Sequence, residues 1–139
     1  MQFRIALAAA AFVAAVPAAV SAPMAMAQEN AADAASIRAV QAHVDAYRSG
    51  NLDRFVATFA PDAVVTANGM TAVGRAQIKQ MYALNFGPGA PGIRIDDSGM
   101  SGGNVYLSVA YTFADGTEVC CSYSEYQVKG GKIASLTAY

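Results

Sequence analysis

The chain has 139 residues, 9 Lys plus Arg against 10 Asp plus Glu, one histidine and two cysteines. That length holds a single ordinary domain. The near-neutral balance lacks any Lys/Arg cluster, so the basic footprint of a nucleic-acid binder is absent and no nucleic-acid partner is expected.

The N-terminus reads as a targeting segment. Met1 to Arg4 is short and basic, residues 5–16 are Ala, Val, Ile, Leu and Phe throughout, and Ala25-Met26-Ala27 is a small-x-small cleavage signal. The apolar run is shorter than the ~20 residues that span a bilayer, and Pro17 interrupts its continuation. The expectation is a signal peptide over residues 1–27 and one domain over 28–139, exported to the periplasm or secreted, with no membrane attachment after cleavage. An uncleaved anchor is the alternative. Arg4 leaves with the leader, which makes the remaining domain slightly more acidic.

Residues 28–32 read as a frayed start. Asp33 or Ser36 caps a helix to about Arg48, with Ile37, Val40, Val44 and Tyr47 on its buried face. Gly50 suits a left-handed cap. Asn51 caps a second helix, Leu52, Phe55, Val56 and Phe59 mark its inward face, and Pro61 is expected to end it. Residues 63–67 read as a strand, Asn68-Gly69 as a tight turn and 70–73 as a short extended return. A third helix covers about 75–85, with Ile78, Met81 and Tyr82 inward. The Gly/Pro-rich run 87–92 is a loop.

The remainder reads as strands: 93–96, a glycine-rich turn over 98–104, then 105–114, 117–129 and 132–139, joined by turns at Asp115-Gly116 and Gly130-Gly131. The order α-α-β-α-β-β-β, with strands segregated after helices, predicts an α+β fold with helices on one face of a mostly antiparallel sheet.

Two-residue turns would set Tyr111 opposite Cys120, Val109 opposite Ser122, Tyr126 opposite Ser135 and Ser124 opposite Thr137. One face would then carry an apolar lining with a band of hydroxyls, Ser122, Ser124, Tyr126, Thr137 and Tyr139. The other would carry Tyr106, Val119 and Tyr123. An apolar concavity with a few polar groups suits a small-molecule pocket; the alternative is a solid core whose hydroxyls bond to backbone or water. The expected lining is His43, Tyr47, Tyr82, Ser122, Ser124, Tyr126, Thr137 and Tyr139. His43, the single histidine, lies at the border of the first helix's buried stripe and is the candidate acid/base, since imidazole titrates near neutrality. A structural histidine is the competing reading.

Cys120 and Cys121 are neighbours in a predicted strand, so their side chains should point to opposite faces and an intrachain bond would break the strand geometry. A free inward Cys120 is expected, with Cys121 outward. An intermolecular disulfide through Cys121 is the alternative. One histidine and two cysteines match no zinc pattern, and neither metal nor cofactor is expected.

The segments VDAYRSGNLDRFVATFAPDAVV, VGRAQIKQMY and YSEYQVKGGKIASLTAY together resemble the nuclear transport factor 2-like superfamily, and within it the SnoaL-like proteins. The resemblance covers nearly the whole expected mature chain. It implies a cone-shaped barrel of cystatin-like type, three helices against a strongly curved sheet, and often a homodimer. It leaves activity open, because the superfamily includes ketosteroid isomerases, polyketide cyclases, dehydratases and non-catalytic binders. Aligned on Gly50-Asn51-Leu52-Asp53, the isomerases' oxyanion-hole tyrosine falls at His43, their general base at Ala67 and their second oxyanion acid at Ser124. Alanine cannot accept a proton, so that mechanism does not transfer intact. Three readings follow. The first is an exported protein binding a small hydrophobic or carbonyl-bearing molecule. The second is an isomerase, cyclase or dehydratase using His43. The third is a dimerisation or interaction module using the outer sheet face.

Overall fold

The computed structural model describes residues 22–139, with side chains from residue 29 onward. Residues 1–21 of the expected leader lie outside that span. Helix α1 runs Ala22–Arg48 without interruption, so the frayed start and the cap at Asp33 or Ser36 are corrected. No Pro or Gly occurs between Met24 and Ser49, and good helix formers dominate the early turns. Gly50, at φ 70°, then reverses the chain. Asn51 caps α2 (Leu52–Val56), accepting the Arg54 N–H at 2.9 Å.

Pro61 does not end that helix. The chain leaves α2 after Val56, and β1 spans Phe59–Ala67 with Pro61 inside it. β1 pairs with the last strand at Phe59↔Ile133 and next at Val64↔Ser135. Pro61 occupies the irregular stretch between these pairs, where no ladder donor is required. The short strand β2 (Met70–Val73) returns along β1, and α3 (Gly74–Tyr82) follows, extended by a 3-10 turn over Ala83–Phe86.

Four strands complete the fold: β3 (Gly92–Ser101), β4 (Asn104–Thr112), β5 (Glu118–Lys129) and β6 (Lys132–Ala138). The sheet order is β2-β1-β6-β5-β4-β3, with β1 and β6 parallel and every other pair antiparallel. Three helices on a six-stranded, mostly antiparallel sheet make the expected α+β fold.

The core joins Val40 and Val44 of α1 to Phe55, Phe59, Ile78 and Ile133, all nearly sealed from solvent. Ile37, expected inward, is 47 % exposed and overhangs a small cleft against β3 and β4. Arg75 on α3 ties the helices to the sheet, donating from Nε to the Phe59 carbonyl at 2.9 Å, while Lys132 donates to the Ala57 carbonyl at 2.9 Å.

Three register shifts decide which side chains face inward. The expected turn over 98–104 shrinks to Gly102-Gly103, because β3 continues through Ser101 with Asp96 as an extra residue between the Ile95↔Val109 and Asp97↔Ser108 pairs. Gly99 is needed there: a Cβ would sit 2.8 Å from the Tyr106 ring, which lies across it. The β4–β5 loop is longer than two residues, closing with Phe113 N–H to Thr117 O at 2.9 Å. Tyr111 therefore faces Val119, not Cys120, and Val119 moves off the outer face. An extra residue at Cys120-Cys121 absorbs the difference, and Val109 faces Ser122 as expected.

In the β5–β6 hairpin, Val128↔Ile133 holds, but Ala134 is extra, so Tyr126 faces Leu136 and Ser124 faces Ala138. A one-residue slip reverses every later side chain. Thr137 consequently pairs with Glu125.

Cys120 and Cys121 are joined as a disulfide, against the expectation of free thiols on opposite faces. The alternation behind that expectation fails because the pair is itself the register shift.

Candidate functional site

A cavity of about 450 Å³ lies between α1, α3 and the inner face of β4, β5 and β6. Phe55, Met81, Leu107, Val109 and Leu136 give it apolar walls. Of the residues expected at a site, His43, Tyr47, Tyr82, Ser122, Ser124, Tyr126 and Tyr139 line it; Thr137 does not, having been turned away by the Ala134 slip. Tyr139 stands at the edge, 73 % exposed, and its backbone N–H donates to Tyr123 O at 2.8 Å.

His43 is 4 % exposed. Its ring packs 4.5 Å from Phe55, 5.0 Å from Phe59 and 5.5 Å from Tyr126, measured between centroids. Burial among these rings holds its pKa down to about 3, because the charged imidazolium would lose its hydration there. The expectation that His43 titrates near neutrality is therefore corrected.

A hydrogen-bond chain fixes its tautomer. Thr58 Oγ1 donates its only proton to the Phe55 carbonyl at 2.6 Å. The same oxygen lies 2.7 Å from His43 Nδ1 and must accept there, so Nδ1 carries the proton. Among the described residues no group bonds Nε2, and no sealed side-chain N or O is left unpaired. Since His43 lines the cavity, Nε2 opens on it as a hydrogen-bond acceptor.

The other polar groups are mostly phenols. Burial raises the pKa of Tyr47, and that of Tyr82 and Tyr126 well above the usual phenol range, so all three stay protonated and able to donate. Ser124 stands close enough to Tyr126 to offset part of that rise, and Tyr47 OH reaches the Pro91 carbonyl at 3.4 Å. Tyr111 joins this group, close enough to influence Tyr82 and Tyr126 electrostatically. The turn-based register sets Tyr111 opposite Cys120 and does not mark it as a pocket residue. Thr58 gave no signal, since its role depends on a fold contact 15 residues away.

Ala67 and Ser124, the positions aligned with the isomerase base and acid, both line the cavity with His43. The wall near Ala67 thus offers a methyl group where an isomerase would need a carboxylate. Cys120 and Cys121, which also line the cavity, gather with Asp96 so that their ligating atoms lie within 4.8 Å of one another.

Solved structures share this fold. A candidate polyketide cyclase of Sinorhizobium meliloti matches at TM-score 0.65 and 23 % identity, covering 73 % of this chain and 94 % of its own. A Catenulispora acidiphila protein with a ketosteroid isomerase-like fold, in complex with trimethylamine, matches at 0.60 and 22 %, covering 73 % and 83 %. A Mycobacterium tuberculosis protein in complex with estradiol-17beta-hemisuccinate matches at 0.61 and 16 %, covering 76 % and 92 %. No functionally curated protein matches the sequence. The SnoaL-like domain profile matches residues 40–136, from the last third of α1 through most of β6 and including His43, Ala67 and Ser124. The chain belongs to the SnoaL-like domain family.

Proposed function

We propose that this protein is exported and that its cavity binds a small hydrophobic or carbonyl-bearing molecule. One observation carries the reading: a cavity of about 450 Å³ whose walls mix apolar and polar surface almost evenly, with a neutral His43 turning an unpaired Nε2 into it. Such a volume is typical of small-molecule sites. The neighbour that holds estradiol-17beta-hemisuccinate lends support for a rigid apolar ligand, and the one that holds trimethylamine for a smaller one.

The polar groups define complementary ligand chemistry. Nε2 accepts, so it suits a ligand hydroxyl or N–H. The phenols of Tyr82 and Tyr126 donate, so they suit a carbonyl, while Tyr47 already gives its proton to the Pro91 carbonyl. Ser122 and Ser124 adapt to either, and Tyr139 guards the edge. A buried acceptor without a partner disfavours occupants that offer it no proton.

The free Nε2 also favours a second reading, an isomerase, cyclase or dehydratase in which His43 takes a proton. Its depressed basicity makes it a weak base and removes it as an acid at neutral pH. Homodimerisation is proposed through the outer sheet face, where Tyr106 and Tyr123 stack 5.8 Å apart.

Native mass spectrometry of the purified protein tests the main reading. A co-purified small molecule, lost in His43→Phe, is the expected result, and the same spectrum gives the oligomeric mass. No bound molecule, together with no uptake of apolar hydroxyl or carbonyl probes, would overturn it.

A further inference from the structure

We propose that Cys120, Cys121 and Asp96, once the cysteine pair is reduced, form a binding site for a single thiophilic divalent cation of the zinc or cadmium kind.

The site is a product of two register shifts on either side of one strand. Asp96 is the extra residue of β3, between partners of Val109 and Ser108. Cys120-Cys121 contains the extra residue of β5, between partners of Val109 and Tyr111. In a regular strand the two cysteines would point to opposite faces and could not share a ligand. Here Cys120 Sγ lies 3.5 Å, and Cys121 Sγ 3.7 Å, from the same Asp96 Oδ2. On β4 the two shifts flank Val109, one between Ser108 and Val109 and the other at Ala110, the partner of Arg94. All three ligating groups are exposed, so an ion can reach them.

Arg94 supplies the orientation. Its guanidinium pairs with Asp96 Oδ1 and with Glu118, which leaves Oδ2 turned to the sulfurs. A carboxylate held by one oxygen and ligating with the other is the usual outer-shell arrangement of a metal site. The cation also offsets part of the negative charge that two thiolates and a carboxylate would gather. Two sulfurs and one oxygen make a donor set that prefers zinc-like or softer ions, with a fourth position left to water.

These distances are those of the disulfide form, and reduction lets the two sulfurs separate around the same Oδ2. Bonded sulfurs have no proton to give Oδ2, whereas two thiols can both donate to it and two thiolates can share an ion with it. Opening the site needs a reductant. A phosphine transfers two electrons to the disulfide and becomes its oxide, with water supplying the oxygen and both thiol protons. Binding of the divalent ion then displaces those two protons to solvent.

The test is a titration of the phosphine-reduced full chain with cadmium ion, following sulfur-to-cadmium charge-transfer absorption in the ultraviolet and the mass of the loaded protein. One ion per chain is expected, with no such absorption in the unreduced protein or in Cys121→Ser. Asp96→Asn should weaken binding by about 10-fold or more, and Arg94→Gln by less. No absorption after reduction, equal affinity in Asp96→Asn, or an ion found only between two chains would each overturn the proposal. Circular dichroism of the variants separates lost binding from lost folding, since all these side chains are at the surface.

Discussion

His43 Nδ1 lies 2.7 Å from Thr58 Oγ1, and Thr58 passes its own proton to the Phe55 carbonyl at 2.6 Å. A residue near the C-terminal end of α1 is thereby fastened to the chain just after α2, and the free face of the imidazole is left as an acceptor. Thr58→Val keeps the shape of that side chain and removes both bonds. A buried Nδ1–H would lose its partner, at about 1–3 kcal/mol. Urea unfolding should show that loss in Thr58→Val and much less of it in Thr58→Ser. Equal losses in the two variants would contradict the chain of bonds.

The His43 pKa of about 3 also tilts stability with pH. In the unfolded chain the imidazole takes up its proton near its ordinary value of 6.5. Between that value and about 3 the unfolded state holds a proton that the folded state does not. Stability should therefore fall as pH drops through this window, by up to about 1.4 kcal/mol per pH unit, with no contribution above it. The comparison is clearest from pH 6.5 down to the carboxylate range. His43→Gln should flatten the slope of unfolding free energy there, whatever its stability at neutral pH. An unchanged slope would place the proton elsewhere.

Arg75 holds the junction between helices and sheet through a charged donor on the Phe59 carbonyl. Arg75→Met keeps most of the stem and removes the donor. It should cost about 1.5–3 kcal/mol, the range for hydrogen bonds to charged groups. Arg75→Lys should recover only part of this, because one ammonium cannot reproduce the fork that also reaches Ala57 O. The exposed Lys79–Asp53 pair is the control, expected to contribute under 1 kcal/mol.

The helices and most strands were legible because they depend on local signals. Gly50, Asn51 and the Phe55–Phe59 spacing act within a few residues, and each took its expected conformation or burial. The errors arose where pairing depends on a count across strands. Pro61 reads as a helix stop but sits in a strand irregularity. Thr137 left the cavity because Ala134 adds one residue to β6. The cysteines met because β5 carries its own extra residue. Such shifts leave composition and turn signals unaltered, so alternation drawn from the nearest turn fails beyond them. His43 was found as a border residue, but its tautomer and low basicity came from Thr58 and three aromatic rings contributed by other elements.

His43 is the only histidine, so nitrogen-15 labelling of histidine in untagged protein gives a single imidazole to observe. Its two nitrogen resonances, recorded at neutral and mildly acid pH with and without 2-naphthol, report both the tautomer and the opening of Nε2 on the cavity. A neutral ring with the proton on Nδ1 is expected at every pH above about 4, with an upfield shift confined mainly to Nε2 as the naphthol hydroxyl donates to it. A charged ring at pH 6, a proton on Nε2, or resonances indifferent to naphthol and to every other apolar donor would contradict it.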